Sequence, residues 1–381
     1  MMENFTAYIP TKLHFGKEVL SELPVSLAAY GKRVLFVYGK GSIIRSGLYD
    51  RIMHMLTEEG MEVVEFGGIR SNPVVEDADA AAKLGRERHV DVILAVGGGS
   101  VIDSAKIIAL TIPVNHSGWD FYAKKAKPRQ AVPMIAVLTL AATGTETNPF
   151  AVLSNHTEGK KDGYGHFLCF PKESFLDPAL TLSVPKNYTA YGIADLIAHC
   201  FEMYFGAGDT SLTDRIITSI AREAMEYGPR LLDNLYDIDL RSRIMYAATL
   251  ALNPLTGYGK VSGDWAVHAM GHVLSLLYDT PHGASLTIAY PAWLRFFEKP
   301  LNNRIAALGS EIFRENITAA ETILRLETFF RNIGCPVRLS EIGIGADQKE
   351  ALFRGFISNE VNGGNMKIST EDYPRLIEWM M

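Results

Sequence analysis

The first half of the chain alternates short apolar runs with amphipathic segments. The apolar runs lie between about residues 32 and 140 and read KRVLFVYG, MEVVEFGG, VDVILAVGG and MIAVLTL. The segments between them, such as SGLYDRIMHMLTEEG and VVEDADAAAKLGRERHV, space their apolar residues as helices do. Strands that alternate with helices form a parallel sheet with helices on both faces, and its ligand lies beyond the carboxyl ends of the strands. We therefore predict an α/β domain over residues 1–185.

From residue 186 the pattern changes to helices alone. Apolar residues recur at three and four positions in YTAYGIADLIAHCFEMYF, SLTDRIITSIAREAMEYGPRLL, DLRSRIMYAATLAL, GDWAVHAMGHVLSLL and TAAETILRLETFFRNI. Between residues 151 and 182 the apolar runs shorten and contain Gly and Pro, which predicts a hairpin and an extended connection. The fold class is therefore α/β plus all-α, with an all-helical domain over residues 186–381.

Composition excludes several classes of protein. The 381 residues suffice for two domains, and 37 Lys and Arg against 43 Asp and Glu give a net charge of −6 without a long run of one sign. Nothing in this balance favours binding to nucleic acid or an anionic membrane. No apolar stretch reaches the roughly 20 residues that span a bilayer, and the amino terminus lacks a signal-peptide pattern. With three scattered cysteines, which suit a reducing compartment, we expect a cytoplasmic protein.

One aspartate and three histidines of the helical half are candidate metal ligands. Asp195 and His199 are four residues apart, so both side chains project from one face of a helix. His268 and His272 repeat this spacing, and His282 follows in TPHGAS, which predicts a turn. Each pair alone is common on helices that bind nothing. Together, one carboxylate and three imidazoles suit Fe(II), Zn(II), Mn(II) or Co(II) better than calcium or magnesium.

A glycine turn joins a buried strand to a helix in VDVILAVGGGSVIDSAKIIAL. Gly97, Gly98 and Gly99 allow a sharp turn and a close approach of the backbone to a phosphate. Ser100 and the free amides of the new helix face that anion, and Asp103 follows in the first helical turn. An ordinary strand-to-helix turn is the alternative interpretation. Neither G-x-G-x-x-G nor G-x-x-x-x-G-K-[ST] is present, which argues against a conventional Rossmann enzyme and a P-loop NTPase.

A second turn, YGKGSIIRSG at residues 38–47, follows the first strand of the series, where an adenosine ribose would lie. Small and basic residues occupy it in place of a carboxylate: Gly39, Lys40, Gly41 and Ser42. An acidic residue there commonly binds the ribose hydroxyl of NAD and would repel a 2′-phosphate. We therefore expect NADPH to be favoured over NADH. Hydroxyl groups after a later strand could bind the cofactor or cap their own turn, and they belong to Thr139, Thr143 and Thr145.

Several separated motifs, in one order, resemble the iron-dependent (group III) alcohol dehydrogenases and in particular their butanol dehydrogenase branch. The motifs are GGGSVID, ATGTE, the D-x3-H and H-x3-H pairs, the final HG, YGKGSIIRSGLYD, NP at 72–73 and LDP at 176–178. The resemblance runs over essentially the full length. It implies the dehydroquinate-synthase-like fold, an amino-terminal nucleotide domain, a carboxy-terminal helical metal-binding domain, an active site in the cleft between them, and a homodimer.

The resemblance also assigns site residues by position. The metal ligands that it implies are Asp195, His199, His268 and His282. The diphosphate and nicotinamide end of the cofactor is assigned to Gly98, Gly99, Ser100 and Asp103. The adenosine-ribose turn is assigned to Gly39 and Ser42, and further cofactor contacts to Thr139, Thr143 and either Lys160 or Lys161, with Lys160 as the working choice. His272 matches a histidine beside the substrate, and the chain departs from many relatives at Leu140, where they have a second threonine.

These features predict an NAD(P)H-linked, metal-dependent enzyme that interconverts short-chain primary alcohols such as butanol and their aldehydes. The resemblance implies Fe2+, although nitrogen-rich ligand sets generally hold Zn2+ more tightly. The cation would polarise the carbonyl while hydride arrives from the nicotinamide. We expect His272 to protonate the resulting alkoxide, with the ribose hydroxyl or bulk water as alternative donors.

Other functions remain as alternatives. A glycerol-dehydrogenase-like or dehydroquinate-synthase-like zinc enzyme would share the fold, but the latter needs several basic residues near the metal, and only Lys260 is basic between residues 249 and 294. Aromatic residues in that stretch suit a small apolar substrate or belong to the core: Tyr258, Trp265, Tyr278 and Tyr290. A metal-dependent hydrolase would leave the glycine turn unexplained. A protein that binds nucleotide without turnover is the remaining alternative.

Overall fold

The computed structural model describes residues 2–381 and divides into two compact units. The sheet unit is Tyr8–Val184, and the helical unit is Pro185–Met381 together with residues 2–7. These first residues join the helices because the segment runs beside residue 259, where the Glu3 amide donates to the Gly259 carbonyl at 2.9 Å. Within residues 2–381, no helix combines the length and the apolar character that a membrane crossing requires.

The sheet unit is built on a parallel sheet of six strands. The eight strands of the unit are β1 (Lys12–Phe15), β2 (Arg33–Gly39), β3 (Glu62–Ile69), β4 (Val92–Gly97), β5 (Met134–Leu138), β6 (Phe150–Asn155), β7 (Lys160–Gly165) and β8 (Glu173–Leu176). The main sheet has the order β1-β8-β5-β4-β2-β3, and β6 pairs with β7 as an antiparallel hairpin. All four predicted apolar runs are strands of the main sheet, which confirms the parallel α/β prediction.

Helices cover the main sheet and make its central strand fully buried. They are α1 (Leu23–Ala28), α2 (Ser42–Arg45), α3 (Leu48–Glu58), α4 (Val75–Glu87), α5 (Gly99–Thr111) and α6 (Trp119–Tyr122). Every residue of β4 is buried, because β2 and β5 flank it and α5 packs against it. This explains why VILAVG is apolar throughout instead of alternating. The glycine turn begins where β4 ends.

The helical unit contains nine α-helices among the described residues. They are α7 (Lys186–Tyr204), α8 (Ser211–Asp233), α9 (Ile238–Ala251), α10 (Ala266–Tyr278), α11 (His282–Phe296), α12 (Asn302–Phe313), α13 (Ala319–Asn332), α14 (Lys349–Ser358) and α15 (Tyr373–Met380). Helix α7 is buried along nearly its whole length and packs against α8, α9 and α11. The parallel-sheet and all-helical units together give the dehydroquinate-synthase-like fold.

The segment TPHGAS differs from its prediction, because it begins a helix. Pro281 is extended (φ −54°, ψ 136°) and forms the N-cap, and His282 is the first residue of α11. Proline is tolerated here because the first amides of a helix have no partner within the helix. The prediction of a turn for His282 was therefore wrong, and the side chain is held by a helix.

Candidate active site

Helix α7 supplies two of the four predicted ligands. Asp195 and His199 are one turn apart and only 2% and 4% exposed. The His199 Nδ1 atom lies 3.5 Å from Asp195 Oδ1. The four-residue spacing therefore places both side chains on one face, as the sequence predicts.

Two further helices bring the remaining ligands to the same oxygen. His268 of α10 places Nε2 3.8 Å from Asp195 Oδ1, and His282 at the start of α11 places Nε2 3.6 Å from it. Helix α11 approaches α7 closely because residue 283 is glycine: a Cβ atom there would lie 2.1 Å from the Tyr191 carbonyl oxygen of α7. The HG motif thus combines a ligand with the residue that allows its helix to reach the site.

The spacing of these atoms fits ligands around a cation. The three distances exceed the range of about 2.7–3.2 Å for N–H···O hydrogen bonds. Two ligands, each about 2.1 Å from a tetrahedral ion, lie about 3.4 Å apart. Three of the atoms are buried without a hydrogen-bond partner: Asp195 Oδ1, His199 Nδ1 and His268 Nε2. Within residues 2–381, Asp195, His268 and His282 form the only group of three or more His, Cys, Asp or Glu residues whose ligand atoms all lie within 4.8 Å of one another, and His199 is not in that group.

The electrostatics of the cluster favour positive charge at its centre. Burial acts to raise the pKa of Asp195, but His199, His282 and His268 hold it well below its ordinary value, so the group is ionised at neutral pH. Burial lowers the pKa of His199 to about 4, against the opposing charge of Asp195, so this imidazole is neutral, as metal binding requires. Burial also acts to lower the pKa of His268, but the carboxylates of Asp195 and Glu202 raise it to about 9.

Glu202 is a residue of this site that the sequence analysis missed. It is 1% exposed, follows His199 by three residues on α7, and accepts a hydrogen bond from His268 Nδ1 at 3.0 Å. A signal was available, because positions 195, 199 and 202 are spaced by four and three and therefore share one helix face. The prediction included the four proposed ligands and left out the carboxylate that is hydrogen-bonded to one of them, His268.

His272 lies beside the cluster. It follows His268 by one turn on α10 and is half-buried. Its ring centroid is 5.6 Å from that of His282 and 6.4 Å from that of His268. A position beside the substrate therefore stays a prediction for His272.

The glycine turn of the sheet unit depends on close packing. A Cβ atom at Gly97 would lie 2.5 Å from Val101, and one at Gly99 would lie 2.7 Å from the Thr143 side chain. None of Gly97, Gly98 and Gly99 has a positive φ. The glycines are therefore required for space and not for left-handed backbone. Gly98 is the N-cap of α5, which has no side-chain capping bond; the first amides of a helix are groups that can bind an anion.

Polar residues of the turn are also engaged within the protein. The Ser100 hydroxyl donates to the Ser71 carbonyl at 2.5 Å. The Asp103 carboxylate accepts from the Thr145 hydroxyl at 2.5 Å and from the Val152 amide at 2.9 Å, and burial raises its pKa. Asp103 therefore links α5 to the segment that contains Thr145 and Val152. Its contact with a cofactor stays a prediction.

The loop after β5 lies against the glycine turn. The Thr139 amide donates to the Gly97 carbonyl at 2.9 Å, and Gly98 faces the Leu140 side chain, where a Cβ atom would lie 3.3 Å from its Cβ. Thr143 packs on Gly99. The predicted cofactor residues of these two segments are thus brought together, and their contact with a cofactor stays a prediction.

The two candidate lysines lie on opposite faces of β7, because successive side chains of a strand alternate. Lys161 is 6% exposed, and its Nζ donates to Asn72 Oδ1 at 2.7 Å, beside the Ser71 that binds Ser100. Lys160 is more exposed. The geometry therefore favours Lys161 over Lys160 as the lysine near the glycine turn.

The first turn of the sheet unit carries exposed cations. Gly39 ends β2, Ser42 begins α2, and Lys40 and Arg45 are exposed around them. A Cβ atom at Gly39 would meet nothing closer than 3.7 Å, so packing does not require glycine at this position. The nearby Asp77 carboxylate is paired with Arg70 at 3.3 Å.

Comparison with known families identifies both units. Residues 10–178 match the family model for iron-containing alcohol dehydrogenase, and residues 189–374 match the carboxy-terminal model of the Fe-containing alcohol dehydrogenase family. The chain belongs to the iron-containing alcohol dehydrogenase family.

The similar proteins include enzymes named for both cofactors. A probable NADH-dependent butanol dehydrogenase 1 of Bacillus subtilis is 39% identical over 97% of this chain and 98% of its own length. The NADPH-dependent aldehyde reductase YqhD of Escherichia coli is 35% identical over 93% of this chain and 92% of its own. The crystal structure of NADH-dependent butanol dehydrogenase A from Thermotoga maritima superposes with a TM-score of 0.95 at 32% identity, covering 100% of this chain and 99% of that one.

Proposed function

We propose that this chain reduces short-chain aldehydes such as butyraldehyde to primary alcohols, and catalyses the reverse reaction, with NAD(P)H and a divalent cation. The relatives are butanol dehydrogenases and an aldehyde reductase, which supports alcohol and aldehyde interconversion. The observation that carries the proposal is the convergence of three imidazole nitrogens within 3.5–3.8 Å of the Asp195 Oδ1 atom.

Four side chains would hold the cation, and they are Asp195, His199, His268 and His282. Bound there, Fe2+ would polarise the substrate carbonyl toward hydride from the nicotinamide. The single anionic ligand leaves the site attractive to a divalent ion, and Zn2+ would compete for the three imidazoles. Burial of Asp195, His199 and His268 limits their contact with water and strengthens the electrostatic effect of the site on a carbonyl oxygen.

His272 is our proposed proton donor for the alcohol oxygen. It lies one turn after His268, and its ring centroid is 6.4 Å from that of His268 and 5.6 Å from that of His282. An imidazole is suited to proton transfer near neutral pH.

The substrate is expected to be uncharged and small. Lys260, the one basic residue between 249 and 294, has its Nζ buried 2.8 Å from Asp214 Oδ1, so it is committed to an ion pair. This disfavours an anionic substrate of the dehydroquinate-synthase type. Of the aromatic residues in the stretch, Trp265 has its ring 5.4 Å from the His268 ring, whereas Tyr290 packs in the core against Phe201.

We further propose that NADPH is preferred over NADH. The relatives are named for either cofactor, so the proposal rests on the turn after β2. Lys40 and Arg45 make this turn basic, and no carboxylate occurs between residues 39 and 47. A 2′-phosphate would therefore meet favourable charge. The proposed cofactor residues are Gly39, Ser42, Gly98, Gly99, Ser100, Asp103, Thr139, Thr143 and one lysine, for which we now favour Lys161.

The test is a reduction assay with butyraldehyde after Fe2+ is restored. We expect loss of NADPH absorbance, with a higher kcat/KM for NADPH than for NADH. No oxidation of either cofactor by any short aldehyde would contradict the dehydrogenase proposal, and faster turnover with NADH would contradict only the cofactor preference. We also propose a cytoplasmic homodimer, which light scattering and cell fractionation would test.

A further inference from the structure

Glu202 is a buried carboxylate directly behind one of the proposed metal ligands. It lies on α7, three residues after His199 and seven after Asp195, so all three side chains lie along one face of the same helix. A buried carboxylate is costly unless its oxygens are hydrogen-bonded. The partners of Glu202 therefore indicate what the residue does.

Three donors surround the Glu202 carboxylate, and all belong to the start of α10. Oε1 accepts from the His268 amide and from His268 Nδ1, each at 3.0 Å, and Oε2 accepts from the Trp265 amide at 2.7 Å. The N-cap residue Trp265 makes no capping bond through its own side chain, and Asp264 Oδ1 accepts from the Ala266 amide at 3.3 Å. One carboxylate thus caps the helix and binds the ring of a residue in its first turn.

The hydrogen bond to the ring fixes which nitrogen faces the cluster. A neutral imidazole carries its proton on one nitrogen, and an acceptor beside Nδ1 keeps the proton there. In the neutral ring that metal binding requires, Nε2 of His268 carries the free lone pair, and this atom lies 3.8 Å from Asp195 Oδ1. Without Glu202, the ring could rotate or carry its proton on Nε2, and either change would remove a ligand.

The backbone before His268 is held in an unfavourable conformation. Trp265 has φ 69° and ψ 3°, the left-handed region that bulky residues rarely adopt. The bond from its amide to Glu202 Oε2 stabilises this conformation. Such strain is found where surrounding contacts over-determine the backbone, commonly at functional sites.

We propose that Glu202 is a positioning residue of the metal site, which holds His268 with Nδ1 protonated and Nε2 directed at the cation. The inference rests on the proposed role of His268 as a ligand. A carboxylate partner on the distal nitrogen orients a ligand imidazole and increases its basicity. Loss of such a partner typically weakens metal affinity by about 10–100-fold.

The test compares Glu202→Gln with wild type by competition for Zn2+ against a chromophoric chelator. Glutamine keeps one acceptor oxygen but turns an amide group toward a backbone or ring N–H donor. We expect an apparent Kd raised by about 10–100-fold and an altered visible spectrum of the Co2+-loaded protein. The matched control is Glu327→Gln, because Glu327 is also buried in the helical unit but pairs with Arg338 and Arg295. Its loss should lower stability and leave metal affinity unchanged.

Two outcomes would overturn the inference. If Glu202→Gln lowers the unfolding temperature of the metal-free protein but binds Zn2+ as tightly as wild type, the residue only stabilises α10. If the variant does not fold, imidazole 15N spectra of Zn2+-loaded wild type provide the test, with His268 assigned by substitution. Zn2+ binding through Nε2 with a protonated Nδ1 is expected, and binding through Nδ1 would refute the proposal. These readouts need no substrate, so a failure of aldehyde reduction would leave them unaffected.

Discussion

The glycine turn of the sheet unit and the ligand cluster of the helical unit are built in opposite ways. The turn is a continuous stretch between β4 and α5, and it presents backbone amides and small side chains. The cluster gathers buried side chains from α7 and α10 and the partly exposed His282 of α11. Side-chain volume therefore limits which substitutions the glycine turn accepts. In the cluster, the limits are the charge of the side chain and its ability to bind a metal.

This difference separates the measurements that each region controls. Substitutions in the cluster should change metal affinity and kcat, because they alter the groups around the reacting carbonyl. Substitutions in the two turns of the sheet unit should change KM for the cofactor and leave bound metal unchanged. A single variant that changes both the metal affinity and the KM for the cofactor would contradict this division.

The largest effect is expected for Asp195→Asn. The substitution keeps the shape but removes the only negative charge among the four proposed ligands, and metal affinity should fall by more than about 100-fold, beyond the loss of a supporting group. Metal content by mass spectrometry and aldehyde reduction should both decline. Asp239→Asn is the control, since Asp239 lies on α9 of the same unit and forms an exposed pair with Arg243. Undiminished metal binding by Asp195→Asn would remove the cluster as the metal site.

His272→Ala tests whether the cluster and the proton donor are separate. We expect kcat to fall by about 100-fold or more, because general acid catalysis contributes at least that much. Metal content should equal that of wild type, because His272 is not one of the four proposed ligands. Loss of metal would make His272 a ligand, and an unchanged kcat would assign proton donation to the ribose hydroxyl or to water.

Local patterns predicted the parts of each region that depend on sequence neighbours. Strands β2, β4 and β5 are almost continuous apolar runs because they lie inside the sheet, and Asp195 and His199 follow from helical periodicity. The edge strand β1 was missed because it has four residues, is partly exposed and pairs with β8 about 160 residues away. The residues of β1 and their neighbours in the sequence do not indicate that β8 is its partner.

Tertiary packing explains what the sequence did not predict at the sites. The glycines of the turn were interpreted through backbone freedom, but Gly97 and Gly99 are required by Val101 and Thr143, which fill the space of a side chain. The carboxylate that accepts from the Trp265 and His268 amides at the start of α10 belongs to Glu202 on α7, so the sequence before α10 does not reveal it. The spacing of apolar residues describes one helix at a time, so it does not predict which residues of two helices are in contact.

Gly283→Ala tests whether the cluster, like the glycine turn, is disturbed by added side-chain volume. The new Cβ atom would lie 2.1 Å from the Tyr191 carbonyl oxygen, so α11 must move away from α7 and take His282 from Asp195. We expect the free energy of unfolding to fall by about 1–3 kcal/mol, as in overpacked cores, and metal binding to weaken. Chemical denaturation and chelator competition measure these effects.

Gly257→Ala is the control for that substitution. A Cβ atom at Gly257 would lie 3.4 Å from the flexible end of Met203, and the residue belongs to the same unit. Its metal affinity should remain that of wild type. Equal losses in both variants would show that the helical unit responds to any added methyl group, and not to the approach of α11 and α7.

Gly39→Asp tests whether the turn after β2, like the cluster, is sensitive to the charge of a side chain. The position has room for a Cβ atom, which would meet nothing closer than 3.7 Å. The carboxylate would repel a 2′-phosphate and accept a hydrogen bond from the 2′-hydroxyl of NADH. The ratio of kcat/KM for NADPH to that for NADH should fall by at least about tenfold, because like-charge contact costs more than the ~1.4 kcal/mol that this factor represents. Gly39→Ala should change the ratio little, so an equal shift in both variants would trace cofactor choice to backbone shape instead of charge.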